Sequence, residues 1–181
     1  KAPVWLRRVL ATLGALSAEY GPVTWVGLHR QHHAFSDRPG DPHDSTRGFW
    51  WAHIGWMLHE VPAEAKVERY SADVRQDPYM LFLDRHFLWL NVIVGASLWF
   101  LWGPSALLWG VFLRLAVVYH VTWLVNSAAH YFGERREDSG DNSRNNWWVA
   151  LLTFGEGNHA DHHADESRAT VGGYDPTWLH I

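Results

Sequence analysis

The sequence contains no cysteine. That excludes a disulfide framework, a zinc knuckle and any thiolate-bound cluster. It has little excess charge, −4 with histidine neutral, so nothing in its balance favours a nucleic-acid partner. It opens on Lys1-Ala2-Pro3 with neither an initiator methionine nor a signal peptide among its residues, so it is expected to be incomplete at that end. Between Phe87 and Leu113 there is no Asp, Glu, Lys or Arg at all. A helix facing water on one side is not expected there.

What the chain has in excess is 13 Trp and 13 His in 181 residues. Tryptophan suits sites where one end of the ring is apolar and the other wet, as in membrane-interface belts. The mean hydropathy of −0.21 has a soluble value. That average hides segregation, because charge gathers in residues 30–86 and 134–168.

The histidines are patterned. Gly155-Glu156-Gly157-Asn158-His159-Ala160-Asp161-His162-His163 places three at i, i+3 and i+4, and His29-Arg30-Gln31-His32-His33 repeats that spacing. On a helix such a triad lies on one face. Asn126 and His130, at i and i+4, close a long apolar run. Neutral imidazole is a transition-metal ligand, and an all-nitrogen set suits iron, copper or zinc. Seven histidines (His29, His32, His33, His130, His159, His162 and His163) exceed one tetrahedral ion. Two metals are expected, and a redox pair fits the aromatic, membrane-like surroundings better than hydrolytic zinc.

Residues 4–20 read as an interfacial amphipathic helix, since Arg7, Arg8 and Glu19 leave no run of about 20 apolar residues. Gly21-Pro22 breaks it, and a second helix near Val23 carries Trp25 and the first triad. Residues 36–48 read as loop, and Phe49–Leu58 as a surface-dipping segment. Residues 60–80 read as an aqueous helix and connector, with Pro62 at a helix start. Phe82–Trp102 and Ser105–Tyr131 read as two membrane helices joined at Gly103-Pro104. Arg114 and His120 within the second run should face protein or a cavity. Residues 133–146 read as polar loop, 147–154 as a short helix, and 164–175 as loop. An apolar stretch is expected to begin at Leu179-His180-Ile181. The triads flank a hairpin whose ends share one side of the membrane, so all seven histidines can meet at one aqueous face.

The other histidines carry less. His43 reads as a loop or orienting group rather than a ligand. His53 and His59 read as interfacial. His120 lies about 15 Å along a helix from His130, too far to share its metal. Trp25, Thr122 and Trp123 could wall an apolar cavity beneath the metals, although on the residues alone plain packing is the stronger reading. Glu156 could orient an imidazole or be a turn residue.

Five strings occur together and in order: His29–His33; Ser36-Asp37 through Gly40-Asp41-Pro42-His43; Arg47–Trp56; Thr122–His130; and Gly155–His163. They resemble the membrane fatty-acyl desaturase family, in particular its stearoyl-CoA (delta-9) branch. The resemblance implies an all-α integral membrane protein: a helical hairpin, interfacial helices and a cytosolic histidine-rich cap holding two iron ions. The membrane would be a bacterial inner membrane, or the endoplasmic reticulum in a eukaryote. Seven of the family's nine histidine ligands match, together with Asn126, whose counterpart contacts metal through water. The other two belong to a His-x-x-x-x-His box that ends a few residues before Lys1. The chain is therefore expected to be a single desaturase-like domain over 1–181, truncated at the N-terminus and at the C-terminus, and inactive alone. Trp25 and Thr122 match residues shaping the bend of the acyl tunnel.

The implied reaction is O2-dependent desaturation of a fatty-acyl chain carried on CoA, lipid or a carrier protein. Electrons would come from a separate ferredoxin-like or cytochrome-type donor. Gly27-Leu28 replaces the Arg-Asp pair of animal acyl-CoA enzymes, and His59-Glu60-Val61 replaces a basic pair, which weakens a grip on CoA phosphates. The alternatives are a diiron hydroxylase acting on alkanes, sterols or carotenoids, a membrane metal-binding protein, and an inactive remnant.

Overall fold

The computed structural model describes residues 2–59, 66–137 and 139–166. The expected helix start at Pro62, most of the loop at 164–175, and the Leu179–Ile181 stretch lie outside the described residues. The chain is mainly helical: α1 (Val4–Ala15), α2 (Pro22–Phe35), α3 (Phe49–His53), α4 (Val67–Tyr70), α5 (Pro78–Trp102), α6 (Pro104–Leu107), α7 (Arg114–Asn126), α8 (Ala128–Tyr131), α9 (Trp147–Leu152) and α10 (His159–Ala164). A π-helical stretch, Leu108–Leu113, joins α6 to α7. Contacts divide the chain into two units, residues 1–30 with 66–119 and residues 31–65 with 120–181.

Among the described residues, α5 and the helix returning after Gly103 are the two segments long and apolar enough to cross a membrane, Pro78–Trp102 and Pro104–Tyr131. Only 17% of each apolar window is buried. A core helix of a soluble protein would be mostly covered; here Leu88, Trp89, Ile93, Phe100 and Trp109 stand exposed. The helices approach through small residues, as membrane helices do. A Cβ on Gly110 would lie 2.7 Å from Leu98, and one on Gly95 3.2 Å from Leu107. The first span starts at Pro78, four residues before the apolar run suggested. The Asp77 carboxylate accepts from the Tyr79 N–H, and Pro78 fits the first turn.

Helix α1 stops at Ala15, short of the expected residue 20. Ala18 and Tyr20 adopt left-handed backbone, at φ 58° and 66°, which no helix continues. The freed carbonyls are taken by side chains of the apolar hairpin. Asn91 donates to the Ala15 carbonyl at 2.9 Å, Arg114 to Leu16 at 2.7 Å and Tyr119 to Ala18 at 3.0 Å. Arg114 also donates to the Asn91 side-chain oxygen at 3.3 Å, so it faces protein as its position required. The Asp84 carboxylate accepts from the Thr24 N–H and hydroxyl, at 2.8 and 3.0 Å, and caps α2. Gly21 is needed beneath it, since a Cβ there would lie 2.2 Å from the Asp84 Cα.

In the second unit Val125, Ala128 and Val149 form the core, with Phe49, Leu124 and Trp148 packed on it. Residues 133–146, expected to be loop throughout, contain an antiparallel ribbon, β1 (Glu134–Arg135) with β2 (Arg144–Asn145). The strands are polar on both faces, so no alternation announced them. The Asn145 side chain accepts from the Asp161 N–H at 3.2 Å and donates to its carboxylate at 3.0 Å, fixing α10 to the ribbon. Asn146 caps α9 through the Val149 N–H. The turn between α9 and α10 presses backbone on backbone: a Cβ at Gly157 would lie 2.0 Å from the Ala150 nitrogen.

Gly157→Ala should therefore destabilise the chain by about 1–3 kcal/mol, the usual cost of overpacking. A thermal unfolding midpoint equal to wild type would contradict this close contact.

Candidate metal centre

Each histidine triad lies on one helix, as its spacing predicted. α2 carries His29, His32 and His33, and α10 carries His159, His162 and His163. His130 sits on α8, which follows a break at Ser127 in the apolar helix. Within the second unit, His32, His130, His159 and His163 offer ring nitrogens within 4.8 Å of one another. The Nε2 atoms meet in pairs, His130 with His159 at 3.0 Å, His32 with His163 at 3.3 Å and His33 with His162 at 3.0 Å. His29 stands one turn before His33 on α2, its ring stacked on Trp25 at 4.7 Å.

The opposite face of several rings is held by carboxylates. His32 Nδ1 lies 2.9 Å from Asp41, His130 Nδ1 3.1 Å from Asp37, and His163 Nδ1 2.6 Å from Asp141. His33 Nδ1 is 3.3 Å from Glu166. A carboxylate only accepts, so the proton of the His32, His130 and His163 rings sits on Nδ1 and the Nε2 lone pair is left exposed to its neighbour. His32 and His163 thus present two acceptors to each other with no proton between them. A cation resolves that conflict. Two nitrogens about 2.1 Å from one ion, at an angle of about 90–100°, lie about 3.0–3.2 Å apart. The donor set fits a metal site, and the all-nitrogen shell fits a transition metal.

The electrostatics agree. Burial drives the His159 imidazole well below its usual range, helped by the surrounding His163, His130, His32 and His162. Burial and His163 lower His162. Both rings are kept neutral, the form that binds metal. Burial opposes ionisation of Asp37 and Asp141, yet bonds from His130, Ser45 and Asn142 to the first, and from His163 and Ser143 to the second, outweigh it and hold both below the usual carboxylate range. Asp41, the most enclosed, is pushed up by burial.

The remaining candidates divide. His43 is buried, its ring 4.1 Å from that of His32, and its main-chain N–H donates to the Asp41 carboxylate. His32, Asp41 and His43 form a further close group. Asn126 ends α7, half-buried, one turn before His130. Thr122 is half-buried on α7, and Trp123 is buried with its ring on those of His53 and His120, at 5.9 and 5.5 Å. His120 and His53 pair with each other at 3.0 Å, and His53 Nδ1 reaches the Ser127 hydroxyl at 2.9 Å. Buried His53 is therefore no interfacial side chain. Trp25 is exposed, and Glu156 is exposed in the turn before α10. An open groove of about 750 Å³ lies along α1, lined by Trp5, Val9, Leu13 and Tyr79 among others, and no histidine lines it. The carboxylates were the part missed. Asp37 and Asp41 lie inside the Ser36–His43 motif, but nothing local singles out Asp141.

Two histidine sets so distinct in partners should respond differently. His130→Ala should lower bound metal sharply, whereas His120→Ala should leave the metal content per chain as in wild type. Equal loss in both variants would contradict the separation.

Comparison with known proteins agrees with this geometry. The fatty acid desaturase family model matches residues 1–170. The chain is 47% identical over 185 residues to the sn-1 stearoyl-lipid 9-desaturase of Anabaena variabilis, covering all of this chain and 68% of that protein. It is 48% identical over 183 residues to the sn-1 stearoyl-lipid 9-desaturase of Synechocystis sp., covering 99% and 58%. It is 40% identical over 189 residues to the sn-2 palmitoyl-lipid 9-desaturase of Nostoc sp., covering 100% and 66%. It thus spans about 58–68% of the length of these curated relatives. With a family match over all but its last residues and such relatives aligned along its length, the chain belongs to the fatty acid desaturase family.

Proposed function

We propose that this chain carries the metal centre of a membrane acyl-lipid desaturase that introduces a double bond at the delta-9 position of a lipid-linked fatty-acyl chain. The reading is carried by one observation: the Nε2 atoms of His32, His33, His130, His159, His162 and His163 meet in pairs while carboxylates occupy the Nδ1 sides of His32, His130 and His163. His29, His32, His33, His130, His159, His162 and His163 would hold two iron ions, with Asn126 reaching them through water. Two irons, when bound, supply the O2-dependent oxidising power that unactivated methylenes demand and that no side chain has. Overall, two hydrogens leave the acyl chain and, with O2, two electrons and two protons, give an alkene and two water molecules.

The chain's own residues contribute position and environment. The buried rings of His32, His130 and His159 exclude water from the nitrogens they present. Trp25, Thr122 and Trp123 would contact the acyl chain and fix which carbons face the metals; regiochemistry follows from that placement. Pro78–Trp102 and Pro104–Tyr131 would anchor the protein in the bilayer, with the histidines at the cytosolic face. Electrons would come from a separate ferredoxin-like or cytochrome-type donor. A lipid-linked substrate is favoured over acyl-CoA by the relatives above, which are named as lipid desaturases, and by position 27. A Cβ on Gly27 would lie 2.7 Å from Val67, leaving no room there for the arginine of animal acyl-CoA enzymes.

Cells expressing the complete gene should accumulate delta-9 unsaturated acyl chains in membrane lipid. His162→Ala should abolish that product and lower bound iron. Alcohols in place of alkenes, or full activity in His162→Ala, would overturn the assignment.

A further inference from the structure

The three aspartates behind the histidines are not separate supports. Asp41 takes His32 Nδ1 on Oδ1, and its Oδ2 accepts the main-chain N–H of Asp37 at 2.9 Å. Asp37 takes His130 Nδ1 on Oδ2, and the same oxygen accepts the main-chain N–H of Asn142 at 2.7 Å. Asn142 follows Asp141, which takes His163 Nδ1 on Oδ2 and the N–H and hydroxyl of Ser143 on Oδ1. One bonded path therefore runs His32, Asp41, Asp37, Asn142, Asp141, His163, with His130 attached at Asp37.

The path closes through the loop of the β1–β2 ribbon. Arg38 donates to the Gly140 carbonyl at 3.1 Å, and the Ser139 hydroxyl donates to the Arg136 carbonyl at 2.9 Å, so the loop is tied at its tip and at its base. Asp37 itself is held in left-handed backbone at φ 57°, and Ser45 also donates to its carboxylate. A residue in that region persists only where its surroundings over-determine it. Here the surroundings are the partners that aim the histidines. If the loop shifts, Asp141 moves away from His163, and Asp37 loses the Asn142 N–H, one of the bonds that hold its carboxylate behind His130.

We propose that Asp37, Asp41 and Asp141 are positioning residues that act as one coupled frame for the metal centre, and that the loop at 139–143 locks the frame. The proposal rests on the histidines being metal ligands and deepens that reading. Partners that orient ligating imidazoles typically contribute about 10–100-fold in metal affinity, and networked polar groups are not additive.

The test is a cobalt(II) titration of the full chain in detergent, reading affinity and the visible ligand-field bands. Asp37→Asn and Asp141→Asn should each weaken binding about 10–100-fold and shift the bands. The double variant should bind about as the weaker of the two. Independent supports would multiply instead, to about 10²–10⁴-fold, and that result overturns the frame, as does wild-type binding by either single variant. Asn142→Pro deletes the linking N–H and leaves every carboxylate in place. It should reproduce the Asp37→Asn loss, while Asn142→Ala, which keeps the N–H, should bind as wild type; equal binding by these two variants overturns the main-chain link. His163→Ala separates the two levels. If it binds cobalt like wild type, the metal-centre reading itself fails; if it loses cobalt while Asp141→Asn does not, only the frame fails.

Discussion

A hydrogen bond from imidazole Nδ1 to a buried carboxylate decides which nitrogen a histidine has left to offer. In this chain that choice is made the same way for His32, His130 and His163. Fixing the proton on the outer nitrogen turns the inner lone pairs toward one another, an arrangement that is unfavourable without a cation and well matched to one. Burial works in the same direction, because it penalises the imidazolium and so preserves the ligating form of His159 and His162. The site is thus organised from its outer partners inward.

The surrounding fold brings the histidines and Asp141 together from four segments. α2 and α10 bring the triads, α8 brings His130, and the polar ribbon brings Asp141. Each is fixed by a local contact of its own: Asp84 caps α2, the break at Ser127 sets the start of α8, and Asn145 grips Asp161 at the start of α10. Gly157 permits the backbone contact that lets α9 hand over directly to α10. The long apolar helices supply exposed greasy surface for a bilayer. Arg114 and Asn91 spend their polarity on the frayed end of α1 instead of on lipid.

The triads and both long helices were legible because their signals are periodic and local. Three histidines at i, i+3 and i+4 lie on one helical face whatever surrounds them, and a charge-free run of membrane length has few soluble alternatives. The true start of α5 was also written in the chain, in Asp77-Pro78, but an apolar count passes over a cap. The end of α1 was not legible, since Ala18 and Tyr20 are poor candidates for left-handed backbone and Gly21-Pro22 was the obvious break. Nor was the ribbon, whose register sets Arg135 opposite Arg144, a like-charged pair that no pairing preference would choose. With the ribbon unseen, Asp141 had no route to His163, and the outer half of the site stayed hidden while its inner half could be read directly.

The central claim is that these imidazoles hold a pair of irons through their inner nitrogens. Iron-edge X-ray absorption on the purified full chain, with metal quantified per chain, tests it most directly. The account predicts two irons per chain in a nitrogen and oxygen shell with strong imidazole multiple scattering. A single metal, zinc in place of iron, or a shell without imidazole scattering would contradict it.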